Sequence, residues 1–207
     1  GTPPFSAYIL KKLHVSINVV AVVCPPDKEK GRGKRIISSA VKLKAQELNI
    51  DVFQTNNLND SSFIAALQNL NADLFIVVAF RMLPEIVWRI PKKGCVNLHT
   101  SLLPNYRGAA PINRVLINGE KQTGITTFFI NNKIDEGNIL LQEKIELNNK
   151  ITAAILHNIM MENGADLLLE TIDKIAENKA EQVEQSIALI DKTAPKINKE
   201  LLQIDWS

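Results

Sequence analysis

An asparagine and a histidine two positions apart are the side chains in this sequence best suited to acyl-group chemistry. Asn97 and His99 close a short apolar stretch that starts at Cys95. If that stretch is a strand, the two side chains point to the same face of its sheet. A carboxamide can donate hydrogen bonds to an oxygen that gains negative charge, and an imidazole can move a proton near neutral pH. Asp135, in the turn 134–137, is the candidate for an acid that orients the imidazole.

The residue types alone leave a structural interpretation open for the same side chains. Asn97 could satisfy backbone groups in a turn, and His99 could make a single structural hydrogen bond at a strand end. A metal site is not expected, because His14, His99 and His157 are scattered along the chain and only His99 has polar neighbours. His14 and His157 are predicted to be structural or exposed.

The pattern of apolar residues predicts the elements that would position this site. Short β-branched runs, typical of strands buried on both faces, alternate with longer stretches of helical spacing. This alternation predicts an α/β domain with a mostly parallel sheet flanked by helices. Ligands of such sheets bind outside the carboxyl ends of the strands, which here means the residues after Phe80 and those around Asn97 and His99.

Helix caps, prolines and glycines set the limits of the individual elements. Strands are predicted at residues 15–24, 52–54, 73–80, 95–99, 124–131 and 138–147. Helices are predicted at residues 39–48, after an N-cap at Asp60, after Pro84, from Pro111 to Gly119, and over residues 151–178 with Gly164 inside. The tail from Thr193 is predicted to be irregular.

Length and composition restrict the broad class. A chain of 207 residues with 45% hydrophobic and 22% charged residues suits one globular domain. The net charge is only +2, so affinity for a polyanion requires a local basic patch. Cys24 and Cys95 lie in apolar stretches and are predicted to be buried, reduced thiols. No apolar run approaches the roughly 18 residues of a membrane span and no leader is recognisable, so a cytoplasmic location is expected.

Longer motifs around the candidate site resemble the signature of the folate-dependent formyltransferases. They are NLH at 97–99, SLLP at 101–104, YRGAAPI at 106–112 and IDEG at 134–137. The resemblance runs through nearly the whole chain and implies a Rossmann-like formyltransferase fold. It implies that Asn97 and His99 polarise the formyl carbonyl and stabilise the tetrahedral intermediate. It also implies that Asp135 orients and supports His99 and helps proton transfer from the attacking amine.

The resemblance further implies a site for 10-formyltetrahydrofolate, the formyl donor. The loop after the strand predicted at 73–80 resembles the family loop whose backbone holds the pterin ring, and the SLLP segment resembles another part of the tetrahydrofolate site. The residues that the resemblance assigns to this site are Phe80, Arg81, Met82, Leu83, Ser101, Leu102, Leu103 and Pro104. Core packing is the alternative for Phe80 or Met82, and a solvated surface charge is the alternative for Arg81.

A basic segment bears on the amine that receives the formyl group. From Asp27 to Arg35 the chain has five positive and two negative charges, a net +3. A glycine-interrupted basic loop suits contacts with phosphates, although a solvated loop is the alternative. The segment resembles the loop with which methionyl-tRNA formyltransferases grip the tRNA acceptor end, which implies tRNA contacts by Arg32, Lys34 and Arg35. Together with the RGAAPI motif, it favours methionyl initiator tRNA as the acceptor, for translation initiation.

Compared with those enzymes, residues 1–207 correspond to the catalytic domain, without the family's first strand before Gly1 and without its C-terminal barrel domain. Loss of a central strand would expose backbone groups on its neighbours. This loss favours one alternative, a non-catalytic remnant that binds folate or RNA. A second alternative is a formyltransferase that acts on a small amine such as an amino sugar, which would be favoured if the basic segment were irrelevant to activity. No obligate protein partner and no membrane association are expected.

Overall fold

The computed structural model describes residues 1–30, 35–186 and 192–203, which fold into alternating helices and strands. The helices of this part of the chain are α1 (Pro4–Ser16), α2 (Ala40–Glu47), α3 (Ser61–Asn69), α4 (Glu85–Trp88), α5 (Pro111–Ile117) and α6 (Ala153–Ala176), with a 3-10 turn at Glu200–Leu202. The strands are β1 (Ala21–Cys24), β2 (Lys28–Lys30), β3 (Arg35–Ile37), β4 (Asp51–Gln54), β5 (Phe75–Val78), β6 (Cys95–His99), β7 (Gln122–Phe129) and β8 (Ile139–Glu146).

The predicted α/β class is confirmed, and the strands pair in both directions. β5 and β6 are parallel, as are β1 and β4. The four-stranded sheet continues from β6 through β7 to β8 with antiparallel pairing, and β2 pairs with β3 antiparallel. The short connection between β7 and β8 requires antiparallel strands, because parallel neighbours need a long crossover. The half of the sheet formed by β5 and β6 is thus its parallel part. The strand-end rule, by which ligands bind outside the carboxyl ends of parallel strands, applies to this half.

A gap separates the two parallel strand pairs. β1 and β5 are not paired with each other, and a cavity of about 680 Å³ lies between them. The amino group of Gly1 donates to the carbonyl oxygen of Val23 at 3.2 Å. A Cβ atom on Gly1 would lie 2.7 Å from the carbonyl oxygen of Val78. Gly1 therefore sits at the carboxyl ends of both β1 and β5.

Most predicted elements are confirmed, and their caps explain where they begin. The strand predicted at 95–99 is β6, and the other predicted elements differ from the observed ones mainly at their ends. Ser39 caps α2 by accepting a hydrogen bond from the amide of Lys42 at 3.1 Å. Asp60 caps α3 by accepting one from the amide of Phe63 at 2.9 Å. These short-range signals act locally, so the sequence is sufficient to locate them.

The strand predicted at 15–24 is wrong over its first part. Val15 belongs to the last turn of α1, where it is 83% exposed, and the strand begins only at Ala21. The apolar residues Phe5, Ile9 and Leu13 recur at intervals of four and are buried in the main core. This helical spacing, which continues to the end of α1, outweighs the β-branched character of Val15.

The main core lies between α1, α6 and the four-stranded sheet, and it fixes the strand that bears the candidate site. Leu98, between Asn97 and His99, is buried against α6. At Gly164 of α6, a Cβ atom would approach a methyl carbon of Leu98 to 2.8 Å. The glycine inside the helix therefore allows close packing of α6 on β6.

Both cysteines are buried and free, as predicted. Cys24 is fully buried and Cys95 is 2% exposed. Burial raises the pKa of the Cys95 thiol to about 12. None of the helices in the described ranges is both long enough and apolar enough to cross a bilayer.

Candidate active site

A cavity of about 550 Å³ opens at the carboxyl ends of β5 and β6. Asn97 and His99 line it from the end of β6, and Asp135 lines it from the turn between β7 and β8. Three side chains from separate parts of the chain therefore line the same cavity. This position agrees with the strand-end rule for open α/β sheets.

The hydrogen bonds of His99 determine which ring nitrogen is available for chemistry. His99 is 7% exposed, and its Nε2 lies 2.9 Å from the carbonyl oxygen of Tyr106. A carbonyl oxygen only accepts, so Nε2 carries the hydrogen of the neutral ring and Nδ1 has the free lone pair. Nδ1 lies 3.9 Å from Oδ2 of Asp135. His99 can therefore take up a proton at Nδ1, beside a carboxylate that stabilises the resulting charge.

Asp135 is held in an uncommon backbone conformation that points its carboxylate at the histidine. Its φ is +53°, in the left-handed region. Oδ2 also accepts a hydrogen bond from the amide of Gly108 at 2.9 Å. Gly108 has φ +121°, and a Cβ atom there would lie 2.6 Å from the carbonyl oxygen of Ala194. Only glycine allows the approach of these segments that brings the Gly108 amide to Asp135.

Asn97 is half-buried, points into the same cavity as His99, and has an unengaged side chain. Its carboxamide makes no hydrogen bond to any of the residues that the structure describes. A half-buried amide on a cavity wall is free to donate to a ligand oxygen. This is the property that an oxyanion donor needs, since a donor already paired within the protein would first have to break that bond.

The loop that accepts the His99 hydrogen bond is held by a distant part of the chain. The amide of Tyr106 donates to the carbonyl oxygen of Lys192 at 2.7 Å. The amide of Ala194 donates to Arg107 at 2.8 Å, and that of Ala110 donates to Ala194 at 3.1 Å. The tail predicted to be irregular thus forms a backbone ladder with residues 106–110. The sequence contains no periodic signal for this ladder, because the ladder consists of only a few backbone hydrogen bonds.

The side chain of Tyr106 adds a polar cluster beneath this loop. Its hydroxyl bonds to the carboxylate of Glu120 and accepts from the amide of Asn118 at 2.9 Å. Lys192 pairs with the same carboxylate at 2.7 Å. The hydrogen bond from Lys192, followed by that from Tyr106, lowers the pKa of Glu120. Burial and the neighbouring Glu120 raise the pKa of Tyr106, so the hydroxyl stays protonated as a donor.

One of the two predicted folate segments lines the cavity. Phe80, Arg81, Met82 and Leu83 are all on its wall, and Met82 is 61% exposed. The guanidinium of Arg81 donates to the backbone carbonyl oxygens of residues 55 and 56 at 2.8 and 2.6 Å. Arg81 therefore ties the loop after β5 to the loop after β4, which orders the backbone that faces the cavity.

The other predicted folate segment is not on this wall. Its residues are Ser101, Leu102, Leu103 and Pro104, and none of them is among the residues that line the cavity. The Ser101 hydroxyl is buried and donates to the carbonyl oxygen of Asn105 at 2.8 Å. Leu103 packs in a small cluster with Phe128 and Ile139. These contacts support the loop that holds His99, and a direct role of the segment toward folate stays a prediction.

The basic segment predicted to contact tRNA is described only at its ends. Lys30 and Arg35 are cross-strand partners in the ladder of β2 and β3, so the ends of the segment form a two-stranded ribbon. Arg32 and Lys34 lie outside the described residues. Asp27, just before β2, pairs with Lys42 at 2.6 Å, and this hydrogen bond lowers the pKa of Asp27.

Two side chains near the site were not predicted to belong to it, and one of them, His157, was expected to be structural or exposed. His157 lines the cavity, half-buried, with its ring edge-on to Phe5 at a centroid distance of 5.2 Å. Gln185 is 7% exposed and bonds to the turn that bears Asp135. Neither lies in a motif of reactive residue types, so only the tertiary structure reveals them. Among the described residues, no group of three or more histidine, cysteine, aspartate or glutamate side chains is arranged to hold a metal ion.

The fold and the site together define an α/β domain in which an Asn–His pair at a strand end faces an aspartate from a neighbouring turn. The chain belongs to the formyl transferase family, because its residues 3–172 match the sequence pattern of that family. It is 46% identical over 209 residues to the methionyl-tRNA formyltransferase of Flavobacterium psychrophilum, a comparison that covers 100% of this chain and 66% of that protein. The chain thus spans slightly less than two thirds of that relative.

Solved structures agree with the fold. A sugar 3N-formyl transferase, WlaRD, whose crystal structure was solved in the presence of dTDP and 5-N-formyl-THF, superposes with a TM-score of 0.71 at 21% identity, covering 96% of this chain and 69% of that one. Phosphoribosylglycinamide formyltransferase from Anaplasma phagocytophilum superposes with a TM-score of 0.71 at 19% identity, covering 95% of each chain. At these identities the likeness concerns the fold alone.

Proposed function

We propose that this domain transfers a formyl group from 10-formyltetrahydrofolate to the α-amino group of methionyl initiator tRNA, for translation initiation. The observation that carries the proposal is the convergence of an unengaged Asn97 carboxamide, the free Nδ1 of His99 and the Asp135 carboxylate in one cavity. The 46% identity to a methionyl-tRNA formyltransferase over the full length of this chain supports the choice of acceptor.

Each of the three side chains has a separate role in the proposed reaction. Asn97 donates to the formyl oxygen, where negative charge develops as the amine attacks. His99 accepts the proton of the attacking amine at Nδ1, and Asp135, at 3.9 Å, stabilises the imidazolium. A bond forms between the amine nitrogen and the formyl carbon, and the bond from that carbon to the folate nitrogen breaks. The proton then passes from His99 to the folate nitrogen, so the imidazole ends neutral.

The cavity suits a folate-sized donor. Its volume of about 550 Å³ lies within the usual range for cofactor sites. Apolar side chains such as Leu83, Phe128 and Ile130 form much of the wall, with a few polar groups at the chemical centre. An apolar wall with few, fixed polar groups is the arrangement that binds a flat heterocycle and orients one reactive atom.

The acceptor end of the tRNA is proposed to approach over the basic segment at residues 27–35. Its net charge of +3 on an otherwise nearly neutral chain is the local patch that phosphate binding requires. We further propose that residues 1–207 form the catalytic domain and that the protein acts in the cytoplasm.

Transfer of radiolabelled formyl from 10-formyltetrahydrofolate to methionyl initiator tRNA tests the proposal directly. His99→Ala should abolish transfer, whereas His14→Ala, which changes an exposed histidine on α1, should not. A nucleotide-linked amino sugar is offered in parallel as the acceptor. Transfer to the sugar instead of the tRNA would replace the proposed acceptor, and no transfer to either by a cooperatively folded chain would reject the enzyme assignment.

A salt series tests the basic segment. Arg32→Ala should raise the KM for tRNA, and the increase should shrink as ionic strength rises, because the variant neutralises one fewer phosphate, while the KM for folate stays unchanged. An unchanged KM for tRNA at every salt concentration would reject phosphate binding by this segment.

A further inference from the structure

We propose that Gln185 is a positioning residue that holds Asp135 against His99. It acts through the turn 134–137, and it is not among the residues that line the cavity. The inference rests on the proposed function for its kinetic consequences, whereas its structural consequence can be measured without activity.

The carboxamide of Gln185 uses all its hydrogen-bonding groups to connect the two loops of the active site. Its Nε2 donates to the carbonyl oxygens of Asp135 at 2.9 Å and Gly137 at 2.8 Å. Its Oε1 accepts from Nε of Arg107 at 3.1 Å and from Nη2 at 2.6 Å. A buried amide with both donors and its acceptor engaged is a rigid link, because any shift of either loop leaves a polar group unpaired.

The two loops that Gln185 joins are the ones that the site requires. Arg107 lies between Tyr106, whose carbonyl oxygen orients His99, and Gly108, whose amide donates to the Asp135 carboxylate. The other loop is the turn of Asp135 itself. Gln185 therefore closes a ring of contacts from Asp135 through Gly108 and Arg107 back to the backbone of Asp135.

Gln185 is itself fixed by its neighbours along the chain. Two residues earlier, Val183 exchanges both backbone hydrogen bonds with Ile139 at 2.8 and 2.9 Å. Ile139 begins β8, directly after the turn of Asp135. The backbone two residues before Gln185 is thus anchored to the first residue of β8, which keeps the Gln185 side chain close to the turn.

The conformation of Asp135 explains why such a link is required. An aspartate at φ +53° occupies a region that costs about 1 kcal/mol or more relative to ordinary conformations. Such a residue keeps its conformation only where its surroundings over-determine it. Gln185 supplies one such restraint on the Asp135 carbonyl, and the Gly108 amide supplies another on the carboxylate.

Gln185→Glu is the most selective variant. It keeps an acceptor for Arg107 and replaces both donors to the turn by a carboxylate oxygen, which the carbonyl oxygens of Asp135 and Gly137 repel, so the link to the turn is broken. Gln182→Glu is its matched control, because Gln182 is exposed and, among the residues that the structure describes, its side chain accepts only from the side chain of Asn138 at 3.2 Å. The control adds the same charge three positions away without touching the turn backbone. If Gln185→Glu fails to fold, Gln185→Met provides an uncharged replacement of similar length.

We expect Gln185→Glu to lower kcat about 10- to 100-fold with the KM of each substrate within about twofold, because catalytic groups are misplaced while the binding surface is kept. In an Asp135→Asn background the same change should have almost no further effect, since the charge that it positions is gone. If the two single-variant losses in kcat multiplied in the double variant, the proposal would be overturned. A rise in KM without a fall in kcat in Gln185→Glu would overturn it as well.

The second measurement is independent of catalysis. The amide proton of Gly108 should shift and exchange faster with solvent in Gln185→Glu, because its acceptor on Asp135 is no longer held, and it should be unchanged in Gln182→Glu. An unchanged Gly108 amide in Gln185→Glu would reject the positioning role. A shifted Gly108 amide in a protein that formylates neither acceptor would keep the positioning role and reject the proposed function.

Discussion

Asp135→Asn is expected to slow formyl transfer about a thousandfold while the fold stays intact. Asparagine has nearly the same shape as aspartate, and its carbonyl oxygen can still accept from the Gly108 amide. The variant therefore removes the negative charge beside His99 and leaves most contacts in place. Its cost in folding free energy should be about 1 kcal/mol or less, the usual net value of one hydrogen bond.

The magnitude follows from the geometry of the pair. Oδ2 of Asp135 and Nδ1 of His99 are 3.9 Å apart, and the side chains are 13% and 7% exposed. At an effective dielectric constant of about 20, opposite unit charges at this distance attract by about 4 kcal/mol. That attraction exists only once His99 has taken up the proton of the amine, so it stabilises the transition state more than the ground state. Since about 1.4 kcal/mol corresponds to a factor of ten, the expected loss is about 10³ in kcat.

Single-turnover formyl transfer at saturating substrate, together with thermal melting, is the appropriate assay. Glu136→Gln is the matched control, because it removes the adjacent carboxylate, which pairs with Arg107 and Lys133. The control should remain within about fivefold of the wild-type rate. An Asp135→Asn protein that melts normally and reacts within about threefold of the wild type would refute the reasoning, since the charge would then contribute nothing to the reaction.

Three further perturbations test the surroundings of the site. Gly108→Ala should destabilise the fold by about 2–4 kcal/mol, because φ is +121° and the new methyl would lie 2.6 Å from a main-chain carbonyl oxygen. Cys24 and Cys95 should not react with a thiol reagent at pH 8 in the folded protein, and both should react after unfolding. Glu120→Gln should lower the melting temperature at pH 7, and the difference from the wild type should shrink as pH falls below the ordinary pKa of 4.5. The folded-state pKa of Glu120 is lowered, so its stabilisation is complete above the ordinary value of 4.5 and disappears as pH falls through the folded value.

Each of these three predictions has its own control or contrary outcome. Gly119→Ala also changes a glycine at positive φ (+65°) but with no atom within 4 Å, so it should cost only about 1–2 kcal/mol. Equal losses at Gly108 and Gly119 would exclude the contact with the carbonyl oxygen as the cause. A thiol that reacts at once in the folded protein would contradict the burial of Cys24 or Cys95. A melting difference for Glu120→Gln that is constant from pH 7 to pH 3 would show that the carboxylate charge is not involved.

The elements of the fold that depend on short-range signals could be predicted from the sequence. The strand Cys95–His99 is a short stretch with apolar residues at positions 95, 96 and 98. Asp60 is followed by a helix whose side-chain cap needs only the next few residues. The α/β class follows from the alternation of such elements. The prediction was wrong at residues 15–20, because β-branched residues at a helix end cannot be distinguished from a strand until the packing of the preceding face is known.

The residues of the candidate site could be predicted from the sequence, but their detailed geometry could not. The resemblance to formyltransferases selected Asn97, His99 and Asp135, and the structure places them in one cavity. Their catalytic roles remain proposals, as does folate binding by residues 101–104, which lie outside that cavity wall. Sequence alone could not specify the base atom of His99, because the tautomer depends on a carbonyl oxygen of Tyr106, in the following loop.

The sequence by itself determined most of the elements and the family to which the chain belongs, because motifs, caps and apolar periodicity depend on residues that are close together along the chain. Only the tertiary structure decided that Gln185, 50 residues after Asp135, bonds to its backbone. Only the structure decided that the loop at 106–110 pairs with residues 192–194. Such contacts leave no local pattern, since each needs just one or two polar groups brought together by the folding of distant segments.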